Sequence, residues 1–337
     1  MLLLLLILLA PSLARAQSFV LGSQAGTFAG LPFAIAARQG WWHEAGLAPA
    51  SVTFAAPTPQ LMAVAADAWD IGAATTLPAI AGAARYDLQA VAVISDDAAA
   101  TMLLAPRDAA PRIRGAMMLV DGWQLLAPMT SAAGYAADSC LHWLGIAPRV
   151  LRTVDLMPAE VVTRFPAAQP ALAALGSPQV WQLQNAGAAP VCTARDPGTA
   201  LPAFLVVRRG FAREHPDVVR RAVAVTLRAL ELIAARPPGL LATMRSHYAG
   251  AGVVLDDAGL RAELDARTLF DAAAQRRLFD RGAGRSTLDR WIDDFAAYLL
   301  RQGYPDVPGS RQFLTGAFLP DDTSAPAGPL SPRRTSR

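Results

Sequence analysis

Lysine is absent from this chain of 337 residues, and all 30 basic residues are arginine. A coding bias is the simplest explanation, yet the absence has chemical consequences. Schiff-base catalysis, a lysine general base and the lysine of a phosphate-binding loop are all excluded. The arginines are scattered and do not alternate with aromatic residues, which speaks against a nucleic-acid-binding groove. The composition therefore excludes lysine-dependent catalysis and argues against nucleic-acid binding.

Cysteine and histidine are also scarce. The histidines are His43, His142, His215 and His247. They show no ligand spacing with each other or with the cysteines, so we expect no metal site and no cofactor. Cys140 lies in a helical pattern and Cys192 in a strand-like one. They either pair in an oxidising compartment or are two buried small apolar residues, and the second alternative is favoured because nothing in the sequence brings them together.

Long apolar runs are missing after the N-terminus, so no later segment is expected to cross a membrane. The N-terminus itself reads MLLLLLILLAPSLARAQ. An apolar core followed by Ala14-Arg15-Ala16 is typical of a signal peptide cleaved before Gln17. No cysteine stands at the cleavage point, which argues against a lipid anchor. Residues 1–16 are therefore predicted to be a signal peptide, and the mature chain is expected in a bacterial periplasm.

The remaining chain alternates strand-like and helical patterns. A strand over Ser18–Leu21, a helix reaching Gln39 and a strand over Ser51–Phe54 have the length of a βαβ unit. Trp69–Ala73 and Leu88–Ile94 are predicted as further strands, each preceded by a helical pattern. Hydrophobic residues make up 53% of the chain, enough for two packed cores. Alternating strands and helices predict an α/β fold with mostly parallel sheets covered by helices.

A second lobe is predicted to begin where proline and arginine crowd residues 106–114. Ala116–Val120 is predicted as the strand that opens it, and Ala203–Val207 as the strand that carries the chain back. The predicted bounds are 17–107 and 204–319 for lobe 1, 108–203 for lobe 2, and 320–337 for a disordered tail rich in Pro, Ser and Asp.

Four stretches of this sequence resemble one family. They are RQGWWHEAGL at 38–47, AADAWDIG at 65–72, IRGAMMLV at 113–120, and FLVVR at 204–208 with the Phe211 and Pro216 that follow. In this order they resemble the type II periplasmic solute-binding proteins of ABC importers, in the branch of nitrate, sulfonate, taurine and thiamine-precursor binders. The resemblance runs from about Phe19 to Leu319. It implies the two-lobed periplasmic binding protein fold, each lobe a mostly parallel sheet flanked by helices.

Several positions depart from the family pattern. Ala68 replaces a glycine, Ala116 replaces a lysine, and residues 169–172 replace a G-x-x-D-A element of the second lobe. These changes leave the expected fold intact. They affect the expected ligand, because the second lobe supplies part of the pocket.

The resemblance implies a binding function. A monomer would capture a small anionic or heteroaromatic solute, such as a sulfonate, nitrate or a pyrimidine, and deliver it to the membrane permease of an ABC transporter with its ATPase. Two alternatives stay open: a thiamine-pyrimidine-synthase-like enzyme on the same fold, and a ligand-binding subunit of a sensor. The enzyme would need a reactive lysine or histidine facing the cleft. No histidine lies on a predicted cleft loop and no catalytic motif occurs, so we expect no enzymatic activity.

Candidate ligand-binding residues follow the carboxyl ends of the predicted strands, where helix N-termini offer free N–H groups. In lobe 1 they are Gln24, Thr27, Phe28, Thr58, Gln60, Thr75, Thr76 and Asp96; in lobe 2 they are Ser131, Tyr135, Ser177 and Trp181. Taken singly, each hydroxyl is more simply explained as a helix N-cap. As a set facing one cleft, they indicate a binding site. Trp41, Trp42 and Trp69 are instead predicted to be core residues.

Overall fold

The computed structural model describes residues 16–167, 170–304 and 307–321. Within these residues the strands are β1 Gln17–Gln24, β2 Leu47–Phe54, β3 Ile71–Ala74, β4 Leu88–Asp96, β5 Thr101–Pro106, β6 Gln124–Ala127, β7 Arg152–Asp155, β8 Ala171–Gly176, β9 Ala188–Thr193 and β10 Pro202–Arg208. The predicted signal peptide up to residue 15 and the predicted tail beyond residue 321 lie outside the described residues.

Helices separate most of these strands. They are α1 Leu31–Arg38, α2 Trp41–Glu44, α3 Pro57–Val64, α4 Thr76–Tyr86, α5 Ala110–Arg114, α6 Ala132–Trp143, α7 Pro158–Arg164, α8 Gln179–Asn185, α9 Arg209–Glu214, α10 Pro216–Ala235, α11 Leu240–Ala249, α12 Asp257–Asp265, α13 Ala272–Phe279, α14 Thr287–Arg301 and α15 Ser310–Phe313. No helix in the described part of the chain has the length and apolar character needed to span a bilayer.

The strands form two five-stranded sheets, in the orders β2-β1-β3-β10-β4 and β7-β6-β8-β5-β9. In each sheet one strand is antiparallel to its neighbours, β10 in the first and β5 in the second. The other observed pairings, such as β1 with β2 and β6 with β7, are parallel. The predicted two-lobed α/β fold with mostly parallel sheets is therefore confirmed. We call each sheet with its packed helices a lobe.

The chain crosses between the lobes twice. One crossing segment, residues 97–100, joins β4 to β5, and the other, residues 194–201, joins β9 to β10. The two segments are tied together: the Asp97 backbone N–H donates to the Leu201 carbonyl at 3.0 Å. The first crossing comes before β5, so β5 pairs in the second sheet. The sequence instead predicts that the chain enters the second lobe only after this strand. The exact lobe bounds stay a prediction.

The tryptophans of the stretch 38–47 lie in the hydrophobic core, as predicted. Trp41 and Trp42 are buried, and Trp42 contacts Phe19 and Phe33 with ring centroids 6.1 and 6.2 Å apart. Trp69 is fully buried. These residues pack the first helices against the first sheet.

Two local predictions are wrong. Residues 116–120 form no strand; Ala116 has φ +53°, in the left-handed region, which breaks an extended run. The next strand after β5 is β6 instead. The interpretation of Thr58 as a helix N-cap is also wrong, because helix α3 begins at Pro57 with Ala56 in the N-cap position. Thr58 lies in the first helical turn, after a proline that suits the first helical position.

A disulfide joins Cys140 on α6 to Cys192 on β9, with Cα atoms 5.9 Å apart. The alternative favoured from the sequence, two unpaired apolar residues, is therefore wrong. The pairing was missed because the two cysteines are 52 residues apart and only the packing of α6 on the second sheet brings them together. A disulfide is typical of proteins that fold in an oxidising compartment.

Candidate functional site

The carboxyl ends of β1 and β3 are tied by two buried glutamines. Gln24 donates from Nε2 to Gln60 Oε1 at 2.9 Å, and Gln60 donates from Nε2 to the Ala73 carbonyl at 3.0 Å. The structure thus brings these two predicted site residues together. Their amide groups are engaged with each other and with the sheet, which is the pattern of a structural tie.

The other polar candidates of lobe 1 are dispersed. Thr58 is exposed in the first turn of α3, and Thr75 occupies the N-cap position of α4 without a side-chain capping bond. Thr76 donates to the Pro202 carbonyl at 2.8 Å. Asp96 Oδ1 accepts from the Leu201 N–H at 2.8 Å, which ties the two crossing segments, and burial raises its pKa. The threonines and Asp96 therefore do not meet in one place.

In lobe 2, Ser131 caps helix α6. Its hydroxyl oxygen accepts from the N–H groups of Ala133 and Gly134 at 3.1 and 3.4 Å. Tyr135, one turn later, packs its ring against α14 of lobe 1. Burial raises the pKa of Tyr135 to about 12. The simple capping interpretation holds for Ser131, and Tyr135 lies at a boundary between the lobes.

Three candidates converge on one buried guanidinium. Arg267 donates from Nη2 to the Ser177 hydroxyl, and its Cζ lies 4.3 Å from the centroid of the Phe28 ring. Trp181 reaches the same place by donating from its indole nitrogen to Glu263. Phe28 comes from lobe 1, whereas Ser177 and Trp181 follow β8 of lobe 2. Arg267 and Glu263 therefore bridge the two lobes.

The carboxylate partner of Arg267 is completely enclosed. Glu263 is fully buried, lies 3.0 Å from Arg267 Nη1, and accepts from the Tyr248 hydroxyl at 2.5 Å. We call the set Phe28, Asp97, Ser177, Trp181, Tyr248, Glu263 and Arg267 the lobe-bridging cluster. A buried carboxylate is tolerated only when it is paired and hydrogen-bonded, and Glu263 satisfies both conditions.

Local structure holds the cluster in place. Asp256 caps α12 by accepting from the Gly259 N–H at 2.8 Å, and Glu263 and Arg267 lie four residues apart. Just after Arg267, the backbone of Thr268 pairs with that of Asp96 in the first crossing region. This pairing fixes Arg267 beside the crossing segments.

The electrostatics of the cluster are nearly balanced. Burial alone lowers the pKa of Arg267, but the charges of Glu263 and Asp97 outweigh it and the pKa is raised. Arg267 Nε lies 3.1 Å from Asp97 Oδ1 without the alignment of a hydrogen bond. Among the described residues, Nε of Arg267 is the only buried side-chain nitrogen or oxygen that lacks a hydrogen-bond partner. Nε therefore faces Asp97 as an ion-pair partner without an aligned hydrogen bond.

His247 was not expected near the cleft, yet it lies against a predicted cleft loop. Its Nε2–H donates to the Thr27 carbonyl at 2.9 Å, while the Thr27 hydroxyl donates to the Gln24 carbonyl. Burial lowers the pKa of His247, and the hydrogen bond to Thr27 opposes this only in part. His247 therefore braces the loop that carries Phe28.

Sequence reasoning missed four members of the cluster: Asp97, Tyr248, Glu263 and Arg267. The signal available for Glu263 and Arg267 was a charged pair at i and i+4 beside the apolar Leu260 and Leu264. No group of three or more His, Cys, Asp or Glu in the described part of the chain could hold a metal ion.

Comparisons with known proteins bear on the fold. The sequence matches no family model and no curated protein. The structure is similar to the periplasmic aliphatic sulphonate binding protein SsuA from Escherichia coli, with a TM-score of 0.71 and 16% identity, covering 88% of this chain and 96% of that one.

Two further solved structures are similar. The alkanesulfonate-binding protein SsuA from Xanthomonas axonopodis pv. citri, bound to MOPS, gives a TM-score of 0.66 at 20% identity, covering 88% of this chain and 98% of that one. The nitrate-binding protein NrtA from Synechocystis PCC 6803 gives 0.59 at 12% identity, covering 90% and 87%. At these identities the likeness establishes the fold, which is that of the periplasmic binding proteins.

Proposed function

We propose that this chain is the periplasmic substrate-binding component of an ABC importer and that it holds a small solute between its lobes. The observation that carries the proposal is the lobe-bridging cluster. It places the buried guanidinium of Arg267 beside the Phe28 ring and next to Ser177 and Trp181 of the other lobe. A ligand bound there contacts both lobes, so its binding energy favours the closed arrangement.

The cluster also bears on the kind of solute. An anionic or heteroaromatic molecule is expected, since a guanidinium and aromatic rings recognise oxyanions and flat rings. Arg267 is already opposed by Glu263 and Asp97, so a full oxyanion would meet two carboxylates beside one cation. A neutral heteroaromatic ring brings no further negative charge to these carboxylates, and it stacks on aromatic side chains. We therefore place pyrimidine-like solutes ahead of sulfonates and nitrate.

The partners follow from the same proposal. The signal peptide would direct export and then be cleaved. The monomer, loaded with solute, would dock on a membrane permease that works with an ATPase. The similar solved structures named above are described as binding proteins, which supports binding rather than catalysis. His247, the histidine near the cleft, donates to a backbone carbonyl, and this contact favours a structural role over that of the enzyme alternative.

A thermal-shift screen of the mature chain tests the proposal. The panel contains pyrimidines, alkanesulfonates and nitrate, each at several concentrations. A ligand at 100 times its Kd stabilises the folded state by about 2.7 kcal/mol, which raises the Tm measurably. The expected result is a hit among the pyrimidines that Ser177→Ala weakens and Ser246→Ala, an exposed control on α11, leaves unchanged. A panel without any stabilising solute, or equal effects of the two variants, would contradict it.

A further inference from the structure

A small pocket lies away from the lobe-bridging cluster, at the other contact between the lobes. It has a volume of about 150 Å³ and is lined by Tyr135 of α6, Trp291 and Asp294 of α14, and residues 197–200 of the second crossing segment. It shares no residue with the cluster. Its walls therefore come from both lobes and from the segment that connects them.

Tyr135 contributes a phenol side chain to the wall of this pocket. The residue is only 9% exposed, and its ring packs edge-on against Phe295 and tilted against Tyr298, with centroids 5.0 and 5.2 Å away. In the described part of the chain its hydroxyl makes no hydrogen bond to protein. A phenol held in this way is an acceptor and donor available to a ligand.

Asp294 contributes an uncompensated charge. No ion pair or hydrogen bond of its carboxylate occurs among the described residues, whereas its neighbour Asp293 is paired with Arg285. Burial is the main reason that the pKa of Tyr135 is raised. The negative charges of Asp294 and Asp138 raise this pKa further, and the positive charge of Arg301 lowers it. Arg301 is itself bound to Asp138 at 3.1 Å. The charge left over at the pocket is therefore negative.

Trp291 completes the chemistry with an aromatic surface. Indole rings attract cations over their faces, and a carboxylate beside such a ring is a recurring way to bind ammonium groups. Thr199, on the crossing segment, is the hydroxyl-bearing residue of that segment in the wall. The volume admits a group of a few heavy atoms and excludes a larger molecule.

We propose that this pocket binds a small organic cation carrying a primary ammonium group, with Asp294 as its counter-ion, Tyr135 and Thr199 as hydrogen-bond acceptors and Trp291 as its aromatic face. The proposal does not depend on what the cleft binds. Because the pocket joins α6, α14 and the crossing segment, an occupant would be held by both lobes at once.

Titration of the full mature chain with ethylammonium chloride tests this proposal, with the Trp291 indole N–H signal followed by ¹⁵N NMR. Trp291→Phe assigns that signal. The expected result is a saturable shift with a Kd in the millimolar range, about −4 kcal/mol. Asp294→Asn should weaken binding about tenfold and Tyr135→Phe about threefold. Asp293→Asn, one residue away on the same helix, should leave the Kd unchanged.

Three outcomes would overturn the proposal. They are the absence of a saturable shift, an equal response to sodium acetate, and the same loss in Asp293→Asn as in Asp294→Asn. Asp294 is exposed, so its variant is expected to fold; an unchanged spectrum elsewhere confirms this. The variant Ser177→Ala, which alters the cleft, should bind ethylammonium like the wild type. The Ser177→Ala measurement therefore distinguishes failure of the ammonium-binding proposal from failure of the proposed solute-binding function.

Discussion

The two lobes meet at two places that differ in chemistry. At one, the lobe-bridging cluster buries a guanidinium and a carboxylate with every acceptor of Glu263 engaged. At the other, which we call the α6–α14 contact, Tyr298 donates to the Met129 carbonyl at 2.5 Å and its ring lies against Tyr135. The first contact depends on the buried ion pairs of Arg267 with Glu263 and Asp97. The second depends on ring packing and one neutral hydrogen bond. The difference predicts how each tolerates change.

Glu263→Ala is expected to have the largest effect, because it leaves Arg267 buried and without its enclosed partner. Breaking a buried pair from one side costs about 3–5 kcal/mol of unfolding free energy. Denaturant unfolding measures this value. Asp265→Ala, on the same helix, removes an exposed pair with Arg236 and should cost roughly 0–1 kcal/mol. Similar losses in the two variants would show that the cluster contributes no more than surface charge.

The disulfide anchors α6, the lobe 2 side of the α6–α14 contact. Reduction, or the double change Cys140→Ser with Cys192→Ser, is expected to lower the unfolding free energy by roughly 2–4 kcal/mol. The chain has only these two cysteines, so a reductant acts at one place. The double variant should therefore not respond to reductant at all. A wild-type protein whose denaturation midpoint is the same with and without reductant would contradict the prediction.

The N-terminal end of α14 depends on a buried carboxylate. Burial alone raises the pKa of Asp289, but hydrogen bonds from Arg281, Ser286 and Ser310 outweigh it, so the pKa is well below its ordinary value. Asp289 therefore stabilises the fold above its unfolded pKa of about 4, and this contribution is lost as the pH falls towards the folded value.

Asp289→Asn is expected to cost about 2 kcal/mol at pH 7, and the difference from the wild type should shrink as the pH falls below about 4. Denaturant unfolding at a series of pH values measures this. Asp293→Asn, on the same helix, loses a partly exposed pair and should change stability by less than about 1 kcal/mol. A difference between wild type and Asp289→Asn that grows in acid would reverse the sign and refute the assignment.

Tyr298→Phe should have the smallest effect. It removes one neutral hydrogen bond to the Met129 carbonyl and keeps the ring packing, which costs about 1 kcal/mol. Thermal unfolding of this variant beside Tyr304→Phe, whose hydroxyl makes no hydrogen bond among the described residues, isolates the bond. If Tyr298→Phe cost as much as Glu263→Ala, the distinction between the two contacts would disappear.

Most of the fold was predictable because its signals are local. Alternating strand and helix patterns, the cap at Ser131 and the buried Trp41–Trp42 pair each depend on a few neighbouring residues. The strand predicted at 116–120 was wrong because Ala116 adopts a left-handed backbone conformation that turns the chain. Alanine rarely adopts this conformation, so the sequence carried no signal for the turn. The direction of the crossing strands also depends on the whole sheet.

The candidate site was only half predictable. Phe28, Ser177 and Trp181 were found because they follow strands at the carboxyl edge of their sheets. Glu263 lies on α12 and Arg267 just after it, both in the last third of the chain, and only tertiary packing brings them to that edge. The disulfide was missed for the same reason. Residues that meet through long-range packing leave no periodic pattern in the sequence.

The central claim is that a solute binds between the lobes at the lobe-bridging cluster. A crystal structure of the mature chain with the strongest hit of the thermal-shift screen tests it most directly. The predicted result is ligand density that contacts Phe28 and Arg267 of lobe 1 and Ser177 or Trp181 of lobe 2. Ligand density confined to one lobe, or located away from Arg267, would contradict the account.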